Sequence, residues 1–276
     1  MKNIAILGPE NTFSDEACKI YEHLTGSVFQ HQYYKTITES MMAVNETTWG
    51  ILPIENTLEG FVQQHMDLLI EFDLVIDSEI DLPISFSLIS HVPIDQLSKI
   101  YVQYSAKNQC QIFLRNHPNV MTSICESNTE SYHHYLEDSN SSAIIPRHLY
   151  DAAVVTYGIK DVTDEESNTT RFLIVKKASG FINHLNYEKK IKVTIAILPE
   201  FDRPGLLFDI LKVFALHQIN LLSIMSRPTK KQIGKYRFFI DLEADKASLN
   251  LIHSVLERLN ESYQIKLLGI YPNLSQ

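Results

Sequence analysis

Apolar and polar positions along this chain alternate between two periods, one suited to strands and one to helices. An apolar run at residues 4–7 ends at Gly8-Pro9, and a helical pattern starts near Asp15, so the chain opens strand, turn, helix. A second run at 49–54 leads through Glu55-Asn56-Thr57 into a helix near 62–70. Residues 74–90 read as extended and continuous, as in a chain crossing from one lobe to another. A strand at 100–102 leads through Tyr104-Ser105 into a helix carrying Gln109, Cys110, Phe113 and Leu114. Strand 142–146 and helix 147–157 come next, then an acidic loop at 161–168 and a buried strand from Phe172.

Two α/β lobes with two crossings predict a cleft with a hinge, the shape of a type II periplasmic binding protein. Lobe one takes about 1–76 plus 168–178, and lobe two about 77–167. The periodicity stops near Ser179-Gly180, and 179–190 read as a linker. Beyond it, strand 193–197, helix 204–216, strands 221–227 and 236–242 around a turn at 229–234, helix 247–259 and strand 265–270 follow. This β-α-β-β-α-β order predicts a separate α+β, ferredoxin-like domain at 191–276.

A formal charge of −9 over 276 residues leaves no basic stripe to neutralise phosphates, which argues against nucleic acid. Any site for an anion must therefore be locally positive, built from a few Arg residues and helix N-termini. Cys18, Cys110 and Cys125 show no paired spacing, and the N-terminus runs directly into a strand pattern rather than a leader. No apolar stretch reaches the ~20 residues of a membrane helix. A reducing cytoplasm is the expected location. The eleven histidines show no ligand pair backed by a third ligand, and the adjacent His133 and His134 point to different faces, so no metal is expected.

Asn168 to Val175 put hydroxyls, a permanent cation and an aromatic ring at the mouth of an apolar strand. The planar fork of Arg171 matches a carboxylate, and Thr170 adds a short donor beside it, a pairing suited to a small polyanion. The competing reading is a strand-capping Arg paired with Asp161, Asp164, Glu165 and Glu166.

Several segments then converge. Gly8 to Ser14 (Gly-Pro-Glu-Asn-Thr-Phe-Ser) resembles the Gly-Pro-x-Gly-Thr-Phe-Ser signature of prephenate dehydratases. Pro53-Ile54-Glu55-Asn56-Thr57 is similar to their Pro-Ile-Glu-Asn-Ser segment, and Gln109-Cys110 to the Gln-Cys of a central helix. Asn168 with Thr170-Arg171-Phe172 matches Asn-x-Thr-Arg-Phe. The tail resembles the ACT domain that follows the catalytic domain in this family. Gly205-Leu206-Leu207 stands for its Gly-Ala-Leu region and Ser226-Arg227-Pro228 for the end of Glu-Ser-Arg-Pro.

The resemblance implies decarboxylating dehydration of prephenate to phenylpyruvate in phenylalanine synthesis. Aromatisation drives that step, so no cofactor is expected. It implies Thr170 as the essential hydroxyl, positioned as a hydrogen-bond donor rather than a free acid. Arg171 is expected to hold a substrate carboxylate, or alternatively to brace the hinge. Asn56, Thr57 and Gln109 supply neutral donors, Phe172 an apolar wall, and the segment from Thr12 to Ser14 a helix N-terminus. Glu55 either orients Arg171 or acts as a protonated donor.

By the same resemblance, Gly205, Leu206, Leu207, Asn220, Met225, Ser226, Arg227 and Pro228 would meet a phenylalanine effector, in a homodimer or homotetramer. Asn11 replaces the signature's glycine, Thr57 a serine, and Tyr104-Ser105 a His-Pro pair. Met225 stands where the effector motif has glutamate, and Leu206 where it has alanine. Rival readings are an arogenate dehydratase and a non-catalytic small-molecule sensor.

Overall fold

The computed structural model describes residues 2–180, 190–199, 203–229 and 236–275. The first lobe contains β1 (Lys2–Leu7), α1 (Phe13–Thr25), β2 (Phe29–Tyr34), α2 (Ile37–Met42), β3 (Thr48–Asn56), β4 (Gly60–Phe61), α3 (Gln63–Glu71) and β5 (Leu74–Pro83). The second contains β6 (Phe86–Ser90), β7 (Lys99–Gln103), α4 (Tyr104–Asn108), α5 (Gln111–Arg115), β8 (Met121–Cys125), α6 (Asn128–Glu137), β9 (Ser142–Pro146), α7 (Arg147–Ala152) and β10 (Tyr157–Ile159). β11 (Thr169–Lys177) returns to the first lobe. The C-terminal domain follows as β12 (Ile191–Leu198), α8 (Leu206–Leu216), β13 (Leu221–Pro228), β14 (Tyr236–Ala244), α9 (Leu249–Asn260) and β15 (Gln264–Pro272).

Each lobe has its own sheet, β2-β1-β3-β11-β5 with β4 added to β3, and β10-β6-β9-β7-β8. The C-terminal sheet runs β13-β14-β12-β15. Local chemistry starts and stops the elements. Thr12 accepts from the Asp15 backbone N–H at the start of α1, and Gly26 ends that helix in the left-handed region at φ 66°. Thr36 and Glu39 form a capping box on α2. No helix among the described residues is long and apolar enough to cross a membrane.

Three expectations are corrected. The crossing into lobe two falls after Pro83, not after 76, because β5 pairs with β11 along its length, from Lys177↔Leu74 to Thr169↔Pro83. The helix from Arg147 stops at Ala152, and Tyr157–Ile159 become β10, which covers the β6 edge. Gln109 and Cys110 sit in a break between α4 and α5, not within one helix. The Asp164 carboxylate accepts from the Gln111 and Ile112 backbone N–H groups at 2.7 and 2.9 Å, which starts α5 anew. The linker core at 181–189 and the turn at 230–235 lie outside the described residues.

Alternation along β3 and β11 divides the cores. Ile51, Phe172 and Ile174 join Ile4, Ile6, Phe86 and Val102 in a core that spans both lobes. Leu52, Ile54, Leu173 and Val175 face the other way, onto Ala196, Met225, Phe239, Leu268 and Tyr271 of the C-terminal domain. That sheet therefore lies directly against lobe one. A second link is the bridge Glu79↔Asn273, beside which the Leu274 N–H donates to the Glu79 carbonyl at 2.9 Å.

Candidate active site

β3 and β11 meet at the mouth of the cleft with Thr170 opposite Asn56. Their register then skips Ile54, so that Arg171 faces Glu55 and Phe172 faces Pro53; such an irregularity re-aims side chains beside a site. Thr170 and Phe172 line a cleft of about 330 Å³ with Thr12, Ser14, Glu55, Asn56 and Gln109. Phe13, Phe86 and Ile84 add apolar wall.

A chain of amides holds the Thr170 hydroxyl. Asn56 Nδ2 donates to Thr170 Oγ1 at 2.9 Å and to Asn168 Oδ1 at 2.8 Å. Asn56 Oδ1 accepts from the Leu58 and Glu59 backbone N–H groups, which fixes the orientation of the amide. Asn168 is fully buried, and its Nδ2 donates to Gln109 Oε1 at 2.6 Å. Thr57 lies just outside the cleft and donates to Asn168 Oδ1 at 3.2 Å. Gln109 Nε2 reaches Glu59 Oε1 and Ser105 Oγ at 3.3 Å each. Because Asn56 donates into the Thr170 oxygen, the threonine's own proton points elsewhere. A preorganised donor of this kind can stabilise a departing oxygen without being titrated.

Glu59, Ser105, Glu126, Ser127 and Asn128 also line the cleft, and sequence reasoning missed all five. Ser127 Oγ accepts from the Glu130 backbone N–H at 3.0 Å and caps α6, whose first turn opens on the cleft as that of α1 does. The Ser-Asn-Thr start of α6 was a readable cap, but the half-exposed strand β8 before it has no clear apolar pattern. No Lys, Arg or His lines the cleft among the described residues. The first turns of α1 and α6, from opposite lobes, are the electropositive elements that border the cleft, beside the carboxylates of Glu55, Glu59 and Glu126. Asn11, standing for the signature's glycine, adopts φ 67°, a left-handed conformation that Asn tolerates.

Arg171 is not among the residues lining the cleft. Its side chain takes the opposite face of β11, where Nη2 meets Asp241 Oδ2 at 2.8 Å, Nε meets Glu79 Oε2 at 2.9 Å and Nη1 meets Glu55 Oε2 at 3.3 Å. The Nε–Glu79 contact is too poorly aligned for a hydrogen bond and acts as an ion pair. The guanidinium is therefore spent on protein carboxylates, and the expectation that it grips substrate is corrected by strand alternation. Burial would push Asp241 up, but Arg171 and the hydroxyls of Thr194 and Ser223 hold it below the ordinary carboxylate range. For Glu79 burial wins, and its carboxyl sits above that range. Glu55 borders the cleft and pairs with Arg171.

One Cys/Glu/His group lies elsewhere among the described residues: ligand atoms of Cys18, Glu22 and His31 come within 4.8 Å of one another. His31 bridges Glu22 and Asp15 at 3.1 and 3.2 Å, and this hydrogen bonding accounts for the grouping.

The sequence model of the prephenate dehydratase family matches residues 4–180, and that of the ACT domain matches 200–259. A prephenate dehydratase of Bacillus subtilis is 33% identical over 97% of this chain and 98% of its own length. The crystal structure of the prephenate dehydratase from Staphylococcus aureus superposes with a TM-score of 0.82 at 30% identity, covering 98% of this chain and all of that one. The chain belongs to the prephenate dehydratase family. A prephenate dehydratase from Arthrobacter aurescens in complex with L-Phe gives a TM-score of 0.81 at 26% identity, covering 99% and 91% of the two chains.

The expected effector positions divide by face in this family member. Leu206 is buried in the ACT core against Ile210 and Phe214, while Leu207 is half-buried. Met225 is buried in the core shared with lobe one, and Arg227 reaches back to Asp67 and Gln63 of α3 at 2.7 and 3.1 Å. Leu206, Met225 and Arg227 are packing or docking residues as placed here. Asn220 Nδ2 donates to Glu243 at 2.9 Å. Gly205, Ser226 and Pro228 stay exposed.

Proposed function

We infer that this chain converts prephenate to phenylpyruvate, with Thr170 as the donor to the leaving hydroxyl. As CO2 departs from the ring, its bonding pair enters the ring. The hydroxyl on the opposite carbon leaves with its own pair, and the ring becomes aromatic. The hydroxyl takes up a proton from solvent and is released as water. Thr170 stabilises the charge growing on that oxygen, and Phe172 with Phe86 and Phe13 encloses the ring. The N-termini of α1 (Thr12, Ser14) and α6 (Ser127, Asn128) hold the two carboxylates from opposite sides of the cleft. Asn56, Thr57 and Gln109 orient the donor. The observation that carries this reading is the Thr170–Asn56–Asn168–Gln109 chain across the lobes.

Residues 1–178 carry the chemistry, 179–190 link, and 191–276 regulate, in a cytoplasmic homodimer or homotetramer. Phenylalanine acts through the ACT domain at the surface of Gly205, Ser226 and Pro228. Exposed Phe208, Leu222 and Ile224 beside the open β13 edge supply a face for a second copy.

The test is phenylpyruvate formation from prephenate, with arogenate assayed in parallel. Thr170→Ala is expected to lose ~10²–10³-fold in rate, and Thr170→Ser to retain most of it. An intact chain inactive on prephenate, or a Thr170→Ala variant as fast as the parent, overturns the reading.

A further inference from the structure

The ACT sheet contributes a carboxylate to the back of the catalytic strand. Thr170 and Arg171 are neighbours on β11 with opposite facings: one side chain lines the cleft, the other enters the ACT interface. Asp241 of β14 is buried there and holds Arg171 Nη2 at 2.8 Å. Thr194 of β12 donates to Asp241 Oδ1 at 2.6 Å, and Ser223 of β13 to Oδ2 at 3.0 Å. Arg171 in turn pairs with Glu55 on the cleft wall. The path from an ACT strand to the cleft is thus Ser223, Asp241, Arg171, Glu55.

β13 engages lobe one in a pattern that fits this path. Its inward residues fall at every second position: Met225 fills the core shared with lobe one and Arg227 binds Asp67 there, while Ser223 bonds Asp241 on the neighbouring ACT strand. The strand bearing the effector motif is therefore fastened to the catalytic lobe along one face. A shift of β13 would strain or break the bond from Ser223 to the Asp241 carboxylate.

We propose that Asp241 is a positioning residue for the dehydratase reaction, acting through Arg171 to fix Glu55 and the Thr170 segment, so that the ACT domain completes the active site. The proposal rests on the prephenate reading above. Without the Asp241 charge, Arg171 has only Glu55 and a Glu79 already shared with Lys192 at 2.5 Å. The guanidinium then moves toward Glu55 and the cleft wall moves with it. Misplacing a donor by a fraction of an ångström costs rate rather than ground-state binding.

The experiment uses the full chain and steady-state kinetics on prephenate, with thermal unfolding as the check on fold. Asp241→Asn keeps the shape and removes the charge; kcat is expected to fall about tenfold with KM within about twofold of the parent. Lys266→Ala is the control, since it breaks another ACT–lobe ion pair, Lys266–Asp73 at 2.6 Å, which has no link to the cleft. Its kcat is expected to match the parent. Arg171→Lys should resemble Asp241→Asn, and adding Asp241→Asn to it should cost nothing further.

A folded Asp241→Asn with parental kcat, losses that multiply in the double variant, or an equal loss in Lys266→Ala overturns the proposal. Should Asp241→Asn not fold, Ser223→Ala replaces it, with kcat expected to fall about threefold and an unchanged kcat overturning the relay. A parent inactive on prephenate overturns both readings. An inactive Thr170→Ala beside a fully active Asp241→Asn removes this one alone.

Discussion

At the scale of single residues, chemistry was legible and direction was not. Thr170 stood out as a short donor beside Arg171 at the mouth of an apolar strand, Asn56 and Gln109 only through the family resemblance, and the fold brings all three into one bonded chain. Arg171 drew the same attention, yet it faces away from the cleft. A one-residue step along a strand reverses the face, and the anions Arg171 meets, Asp241 and Glu79, lie 70 and 92 positions away, beyond any local pattern. Asn168 is the residue on which most of the network depends, since it receives Asn56 and Thr57 and donates to Gln109. Asn168→Ala leaves Gln109 Oε1 buried without that donor and is expected to cost about 1–3 kcal/mol of stability. Its kcat should fall more than its melting temperature alone would explain, because Asn56 loses the partner that fixes it against Thr170. A variant with parental kcat at a temperature where it is fully folded would show that Asn168 only supports the fold.

At the scale of elements, buried strands announced themselves and half-polar edge strands did not. β1, β3, β9 and β11 carry apolar runs, whereas β2 (Phe-Gln-His-Gln-Tyr-Tyr) and β8 lie at sheet edges and carry none. The break at Gln109-Cys110 is set by Asp164, more than fifty residues on, and no helical periodicity could reveal it. A second anchor of this kind joins α3 to β3: His65 Nδ1 donates to the Pro53 carbonyl at 2.6 Å, behind the cleft wall. Burial holds the His65 pKa below its ordinary value, so the neutral ring is favoured in the fold. For a depressed histidine, the contribution to stability is complete above about pH 6.5 and is lost as pH falls through the folded-state value. Melting temperature should accordingly fall more steeply between pH 7.5 and pH 5 in the parent than in His65→Gln, which donates the same bond without titrating. Parallel curves for the two proteins would show that His65 is not part of the acid response.

For the whole molecule, the order of elements predicted two lobes and a ferredoxin-like tail, but not that the tail's sheet lies on lobe one. That contact depends on how closely two backbones approach, and Gly269 is one position that permits the approach. A Cβ on Gly269 of β15 would stand 2.7 Å from the Ile76 carbonyl oxygen and 2.8 Å from Ile76 Cβ, both on β5. Neither can swing aside as the end of a long side chain could, because β5 is held along its whole length by β11. Gly269→Ala must therefore push the ACT sheet outward, at an expected cost of about 1–3 kcal/mol. Asp241 lies on the same sheet, so the displacement also lengthens its reach to Arg171. The variant is expected to lose kcat along with stability, whereas Gly158→Ala, which crowds the Leu88 carbonyl oxygen and Tyr150 in the second lobe away from the ACT sheet, should lose stability with less effect on kcat. Measuring both properties in the two variants separates the alternatives. Equal loss of kcat per degree of melting temperature would mean that the ACT sheet merely rests on lobe one, and a disproportionate loss in Gly269→Ala would mean that its position sets the catalytic strand.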